Sequence, residues 1–111
     1  MIQVTDQVLK EIVDVIVQAV SPEQIILFGS RSLGEARPDS DLDLLVVESE
    51  GFDKGRSRRK EMARLWRILA RFAVSKDILV YSREEIERWR GSLNHVVARA
   101  LREGRVLYER S

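Results

Sequence analysis

Four residues in this chain have the types and spacing to do chemistry together. Gly29 and Ser30 close an apolar run, Ile25–Phe28, and ten residues later Asp41 and Asp43 open another. Asp43 is followed directly by Leu-Leu-Val-Val, so it belongs inside a strand rather than in a turn. Residues two apart on a strand project from the same face, which sets two like charges close together. A divalent cation removes that repulsion, and carboxylate oxygens alone suit magnesium or manganese rather than zinc. Taken singly, an Asp-x-Asp is common, and Asp39 has the turn chemistry that usually explains an aspartate in a loop.

The Gly-Ser pair adds an anion site. Glycine admits close approach of a ligand to the backbone. A helical turn over 30–35 would aim free N–H groups and the Ser30 hydroxyl at one point, where a phosphate could sit. The pattern is not the Gly-x-x-x-x-Gly-Lys-Ser/Thr of a P-loop. A third acid, Asp77, precedes Ile-Leu-Val near the start of a later strand. If the two acidic strands are neighbours, Asp77 stands beside Asp41 and Asp43. Three carboxylates and a phosphate cradle form a two-metal site for in-line displacement at phosphorus. The ordinary alternative for Asp77 is an ion pair with Lys76 or a nearby arginine.

These residues must be held by elements the sequence also outlines. Val4, Val8, Ile12, Val15, Ile16 and Ala19 recur at helical spacing, giving a helix over 5–20 that Ser21-Pro22 ends. Ile25–Phe28 is a short buried strand, and 35–40 is a loop. Asp41–Val47 is a second strand, with Leu42, Leu44 and Val46 on one face and Asp41, Asp43, Leu45 and Val47 on the other. Met62, Leu65, Trp66, Leu69, Phe72 and Ala73 define a second amphipathic helix, with Trp66 on its apolar stripe. Residues 76–81 are a third strand. Ser82-Arg-Glu-Glu85 is a capping box opening a short helix. Leu93, Val96, Val97, Ala100 and Leu101 mark the last helix, stopped by Gly104, and 105–108 is an extended tail. The expected fold class is α/β (α+β), a small mixed sheet with helices packed on it, and residues 1–111 are expected to form a single domain.

Composition narrows the setting. There is no cysteine, hence no disulfide framework, thiolate metal site or thiol nucleophile. No stretch is apolar for long enough to span a bilayer, and Asp6, Lys10, Glu11 and Asp14 rule out a signal-peptide reading of the first residues. The cytoplasm is the expected compartment, with no membrane partner. Charge is uneven: residues 1–53 hold 11 acidic and 3 basic side chains, and 54–111 hold 7 acidic and 16 basic. From Lys54 to Lys76 there are nine basic residues and one acid, Glu61. Arg56, Arg58, Arg59 and Lys60 could meet nucleotide phosphates, an acidic partner or RNA, or could simply form a solvated helix face. The lack of interleaved aromatics argues against direct nucleic-acid binding. Trp89 is an interface anchor if exposed, and His95, the single histidine, has no metal-ligand company.

Gly29-Ser30, ten residues, Asp41-x-Asp43 and a later Asp77 resemble the DNA polymerase β-type nucleotidyltransferase superfamily. The stretch GSRSLGEARPDSDLDLLVV and the closing ALREGRVLYE, Ala100–Glu109, are similar to its minimal (MNT) branch, so the resemblance covers nearly the whole chain. It implies a polymerase β-like fold and nucleotidyl transfer from ATP. Gly29, Ser30 and Arg31 would bind the nucleotide, and Asp41, Asp43 and Asp77 would be the catalytic acids and the ligands of two Mg2+ ions. The minimal branch resembles the antitoxin half of HEPN–MNT pairs, which implies a helical HEPN-like partner whose tyrosine receives the AMP. An antitoxin that acts by binding alone, or a homodimeric enzyme acting on an aminoglycoside-like molecule, are the other readings. Homo- and hetero-oligomers are both open.

Overall fold

A computed structural model describes residues 3–34, 36–37, 40–53, 55–93 and 95–111. Its elements run α1 (Asp6–Val20), β1 (Gln24–Phe28), β2 (Leu42–Glu48), α2 (Arg58–Ile68), β3 (Lys76–Ser82), α3 (Arg83–Trp89), α4 (Val96–Glu103) and β4 (Arg105–Glu109). The four strands form one mixed sheet in the order β3-β2-β1-β4. β1 pairs antiparallel with both β2 and β4, and β2 pairs parallel with β3.

The apolar pattern explains the layering. Alternate residues of the strands face opposite ways. Ile25, Leu27, Leu42, Leu44, Val46, Ile78 and Val80 pack with Ile12 and Ile16 of α1 and Leu65 of α2. Ile26, Phe28, Leu45 and Val47 pack with Ile86 of α3 and with Val97 and Ala100 of α4. Because helices cover both faces, the central strands are continuously apolar rather than alternating.

Local chemistry sets the boundaries. Thr5 caps α1 by accepting from Val8 N, and Ser21 leaves the helix in the left-handed region at φ 46°. Ser82 and Glu85 form the reciprocal capping box expected for α3. His95 is not inside the last helix but caps it: its Nδ1 accepts from Val97 N at 3.1 Å. Its ring also stacks on Trp89 at 4.5 Å, so Trp89 is half-buried, not a free anchor.

Several expectations need correction. α2 stops at Ile68, short of Phe72 and Ala73, with Leu69 as its cap; Phe72 is buried from the connection to β3 instead. Trp66 is 43% exposed, lying over Lys76 Nζ at 5.3 Å on the rim of the helix rather than in the core. Leu93 precedes α4 and is 82% exposed. Residues 30–34 form a hydrogen-bonded turn, not a turn of helix. The tail is a strand, since β4 extends the sheet beside β1 with a bulge opposite Ile25 and Ile26. Parts of the expected loop (Glu35, Pro38 and Asp39) and Lys54 of the basic segment lie outside the described residues. Among the described residues, no helix is long and apolar enough to cross a membrane.

Candidate active site

The acids come together because β2 and β3 run parallel and adjacent. Asp43 and Asp77 are register partners, which sets their Cα atoms about 4.8 Å apart across the ladder. Both lie on the face shared with Leu45, Val47, Leu79 and Tyr81, at the end of the sheet where β2 and β3 begin. Asp41 stands just before β2 and is exposed. Lys76 is no partner for Asp77. It is buried on the opposite face, and its Nζ donates to Phe72 O at 2.9 Å and Val74 O at 3.1 Å. No ion pair to Asp77 forms among the described residues.

Gly29 fixes where Asp43 points. β1 ends with Phe28 opposite Asp43, and Gly29 follows at φ +74°. A Cβ there would lie 2.2 Å from Asp43 Oδ2, so the carboxylate rests directly on the glycine backbone. The turn after it is tight. Ser32 N donates to Gly29 O at 3.1 Å, and Ser32 Oγ lies 2.8 Å from the same carbonyl and 3.2 Å from Glu103 O. Ser30 and Arg31 are the half-buried residues of this turn. Arg31 Nη2 donates to Ser40 O at 2.7 Å, tying the turn to the approach to Asp41. Arg31 Nε is buried without a partner among the described residues.

The electrostatics around Asp43 are those of a half-buried carboxyl held near like charges. Burial pushes the Asp43 carboxyl above the usual carboxylate range, and the charges of Asp77 and Asp41 push it further. Arg99 and Arg31 act the other way. Three acids that repel one another beside an orphaned guanidinium nitrogen fit a divalent cation with a phosphate chain. The donors are oxygen only, which is the magnesium type. Among the described residues no three His, Cys, Asp or Glu side chains converge closely enough to make a ready cage. The acids present a shared face rather than an enclosed pocket.

Two features were not visible in the sequence. Arg99, on α4, reaches Asp43 with its charge only because α4 folds across β1; nothing in the local pattern marks it. Arg56 and Arg58, by contrast, are not near the acids. Arg56 pairs with Glu48, Glu50 and Glu61, and Arg58 pairs with Glu85 and donates to Val80 O at 2.7 Å. Glu48 ends β2, five residues from Asp43, or about 17 Å along the strand. That end of the sheet also holds a polar cavity of about 460 Å³ lined by Glu48, Arg56, Glu61, Arg64 and Arg110.

Comparison with known proteins gives the same direction. A family model described as nucleotidyltransferase domain matches residues 9–107. A solved structure described as a minimal nucleotidyltransferase is 30% identical, with 86% of this chain and 85% of that one covered and a TM-score of 0.55. A Sulfolobus solfataricus structure described as a nucleotidyltransferase is 22% identical over 94% of this chain and 79% of its own, with a TM-score of 0.65. A toxin–antitoxin structure with AMP-PNP is 20% identical over 92% of this chain and 73% of its own, with a TM-score of 0.59. The last two share the fold. No curated protein matches.

Proposed function

The chain belongs to the nucleotidyltransferase domain family, and we propose that it transfers AMP from ATP to a tyrosine hydroxyl of a helical HEPN-type toxin, acting as the antitoxin of that pair. The observation that carries this is the placement of Asp43 against Gly29, where the Ser30–Arg31 turn begins, with Asp77 as its neighbour across the parallel ladder. The partner class draws support from the toxin–antitoxin structure with AMP-PNP that shares this fold. We place the activity in the cytoplasm and treat residues 1–111 as one minimal domain.

In this reading Ser30, the amides beside it and Arg31 hold the triphosphate. Gly29 allows the phosphates to lie close to the backbone, and Arg31 Nε, without a partner among the described residues, gains one. Asp41, Asp43 and Asp77 are the residues that would hold Mg2+, with Asp77 nearer the acceptor. When bound, Mg2+ supplies charge neutralisation at the phosphates and acidifies the attacking hydroxyl. Asp77 takes the proton from the tyrosine oxygen. That oxygen forms a bond to the α-phosphorus, the bond to the β-bridging oxygen breaks, and pyrophosphate leaves. The chain's own contribution is orientation and fixed charge, both built before the substrate arrives.

The test is intact mass spectrometry of the co-purified helical partner before and after ATP and Mg2+, with wild type beside Asp43→Asn. The expected result is an AMP-sized gain on a tyrosine of the partner, absent with the variant. A neutralised partner with no gain in mass would overturn the transfer and leave an antitoxin that works by binding.

A further inference from the structure

We propose that the outer face of α2 is a binding surface for single-stranded RNA, with Arg59, Lys60 and Arg67 on the phosphates and Trp66 stacked on a base. This surface is separate from the nucleotide site. Leu65 of α2 packs on the sheet face that holds Ile78 and Val80, whereas Asp43 and Asp77 lie on the other face, with Leu45 and Val47.

The helical repeat dictates which side chains share that outer face. Arg59, Ala63, Trp66 and Arg67 stand at i, i+4, i+7 and i+8, and Lys60 lies on the same side, two turns before Arg67. All five are exposed, whereas Leu65 is buried. Arg59 and Arg67 are about 12 Å apart along the helix axis, the length of a few nucleotides. Arg59, Lys60 and Arg67 make no ion pair among the described residues. The one acid of α2, Glu61, is turned away from them. Its carboxylate pairs with Arg56 at 3.2 Å and Arg64 at 3.7 Å, and its side chain is 13% exposed.

Three cations without acidic partners on one face attract a polyanion, and a guanidinium can bind two phosphate oxygens in its planar fork. Trp66 decides which polyanion. With Trp66 in the core, the segment offers no ring to a base, and its charges suit any acidic surface. In the fold Trp66 is 43% exposed, and the buried Lys76 holds its Nζ 5.3 Å from the ring centre, which leaves the solvent side of the ring open to a base. A cationic track beside an exposed aromatic ring suits a single strand, with phosphates on the charges and a base on the ring. A duplex would keep its base faces from the ring. A protein partner fits less well, because the centre of a protein–protein interface is depleted of charge, and here cations surround the one large apolar side chain. Single-stranded polynucleotide in a cell is overwhelmingly RNA.

The probe is a short fluorescein-labelled single-stranded RNA of mixed sequence, followed by fluorescence anisotropy with the full chain, without ATP or Mg2+. Three phosphate contacts on a single strand predict that log affinity falls against log salt with a slope of about −2, and the double variant Arg59→Ala, Arg67→Ala should leave a slope of about −0.7. Trp66→Leu should weaken binding about tenfold, the value of one stacked base, with the slope unchanged. RNA should quench the emission of Trp66 in wild type, while the Trp89 emission that remains in Trp66→Leu should not respond. The control is Arg88→Ala, Arg90→Ala, which removes the same charge from two exposed arginines of α3 and its end and should bind as wild type does. Asp43→Asn should also bind RNA as wild type does, so the RNA surface and the transfer reaction can fail separately. Four results would overturn the assignment. They are no RNA binding at about 50 mM salt, equal weakening by the two double arginine variants, loss of RNA binding in Asp43→Asn, or displacement of the RNA by poly-glutamate as readily as by unlabelled RNA, which would make the face a site for an acidic protein.

Discussion

Replacing Glu48 with Gln should make the protein more stable above pH 7. Glu48 ends β2 on the far side of the sheet from Asp43 and is 4% exposed. One of its oxygens pairs with Arg56, and the other, Oε2, is buried without a partner among the described residues. Burial and the neighbouring Glu61 carboxylate push its pKa up to about 7, against the opposing pull of Arg56. The folded protein therefore holds this proton more tightly than the unfolded chain, whose carboxyl titrates at the ordinary 4.5. The sign follows from that. The stabilisation is complete below about pH 4.5 and is lost as pH rises through about 7. The gap corresponds to at most about 3 kcal/mol. Gln is uncharged at every pH and keeps a similar shape, and Arg56 retains Glu61 at 3.2 Å. Urea unfolding of both proteins between pH 4.5 and 8.5 measures the difference. Wild type should lose up to about 3 kcal/mol relative to Glu48→Gln across that range, and the variant should be the more stable at pH 8. Taking the difference cancels the titration of groups common to both proteins, including Glu23 and Glu85, whose pKa values are lowered by arginine and serine partners. Two stability profiles that stay parallel from pH 4.5 to 8.5 would refute the reasoning.

Three further outcomes follow from the site and its supports. Gly29→Ala adds a Cβ at 2.2 Å from Asp43 Oδ2 and forces a left-handed alanine, costing about 1–2 kcal/mol of stability in thermal melts; transfer should fall by more than that loss of folded protein explains, because the Asp43 carboxylate is displaced. Asp43→Asn removes a charge that burial, Asp77 and Asp41 all oppose, so without metal it should raise the melting temperature while lowering transfer at least about a hundredfold; a lower melting temperature would show that the three acids do not repel in the folded state. Gly104→Ala overlaps Ala100 O and Ile26 Cγ2 and should cost about 1–3 kcal/mol in urea unfolding, more than Gly51→Ala, where the added methyl meets open space.

What was legible in the sequence was what local chemistry decides. The alternation Leu42, Leu44, Val46 against Asp43, Leu45, Val47 gave the two faces of β2, because a strand buried on both sides still turns each residue by half a turn. The capping box at Ser82 and the stop at Ser21-Pro22 depend on neighbours within four residues and formed as read. Asp77 was placed beside Asp43 only on the condition that their strands adjoin, and the parallel register of β2 and β3 meets that condition. What was not legible depends on contacts distant in sequence. Arg105–Glu109 is too short and too charged to announce a strand, and it is one because β1 offers a free edge. Trp66 fits the helical spacing but falls at the rim, where Lys76 occupies its face. Gly104 was read as a helix stop and does cap α4, but the need for glycine there comes from packing rather than a left-handed φ: Ala100 O, the Ile26 side chain and Leu27 O leave no room for a Cβ. Arg99 was missed because only the docking of α4 brings its charge to Asp43.

The central claim is that this site moves a nucleotidyl group, and the most direct measurement is which phosphorus of ATP reaches the acceptor. The protein and its co-purified helical partner would be incubated with Mg2+ and ATP radiolabelled at either the α- or the γ-phosphorus. Our account predicts stable label on the partner from α-labelled ATP alone, lost with Asp43→Asn or Asp77→Asn. Label from γ-labelled ATP would mean phosphoryl transfer, and label that survives both substitutions would place the chemistry elsewhere; either result would contradict the account.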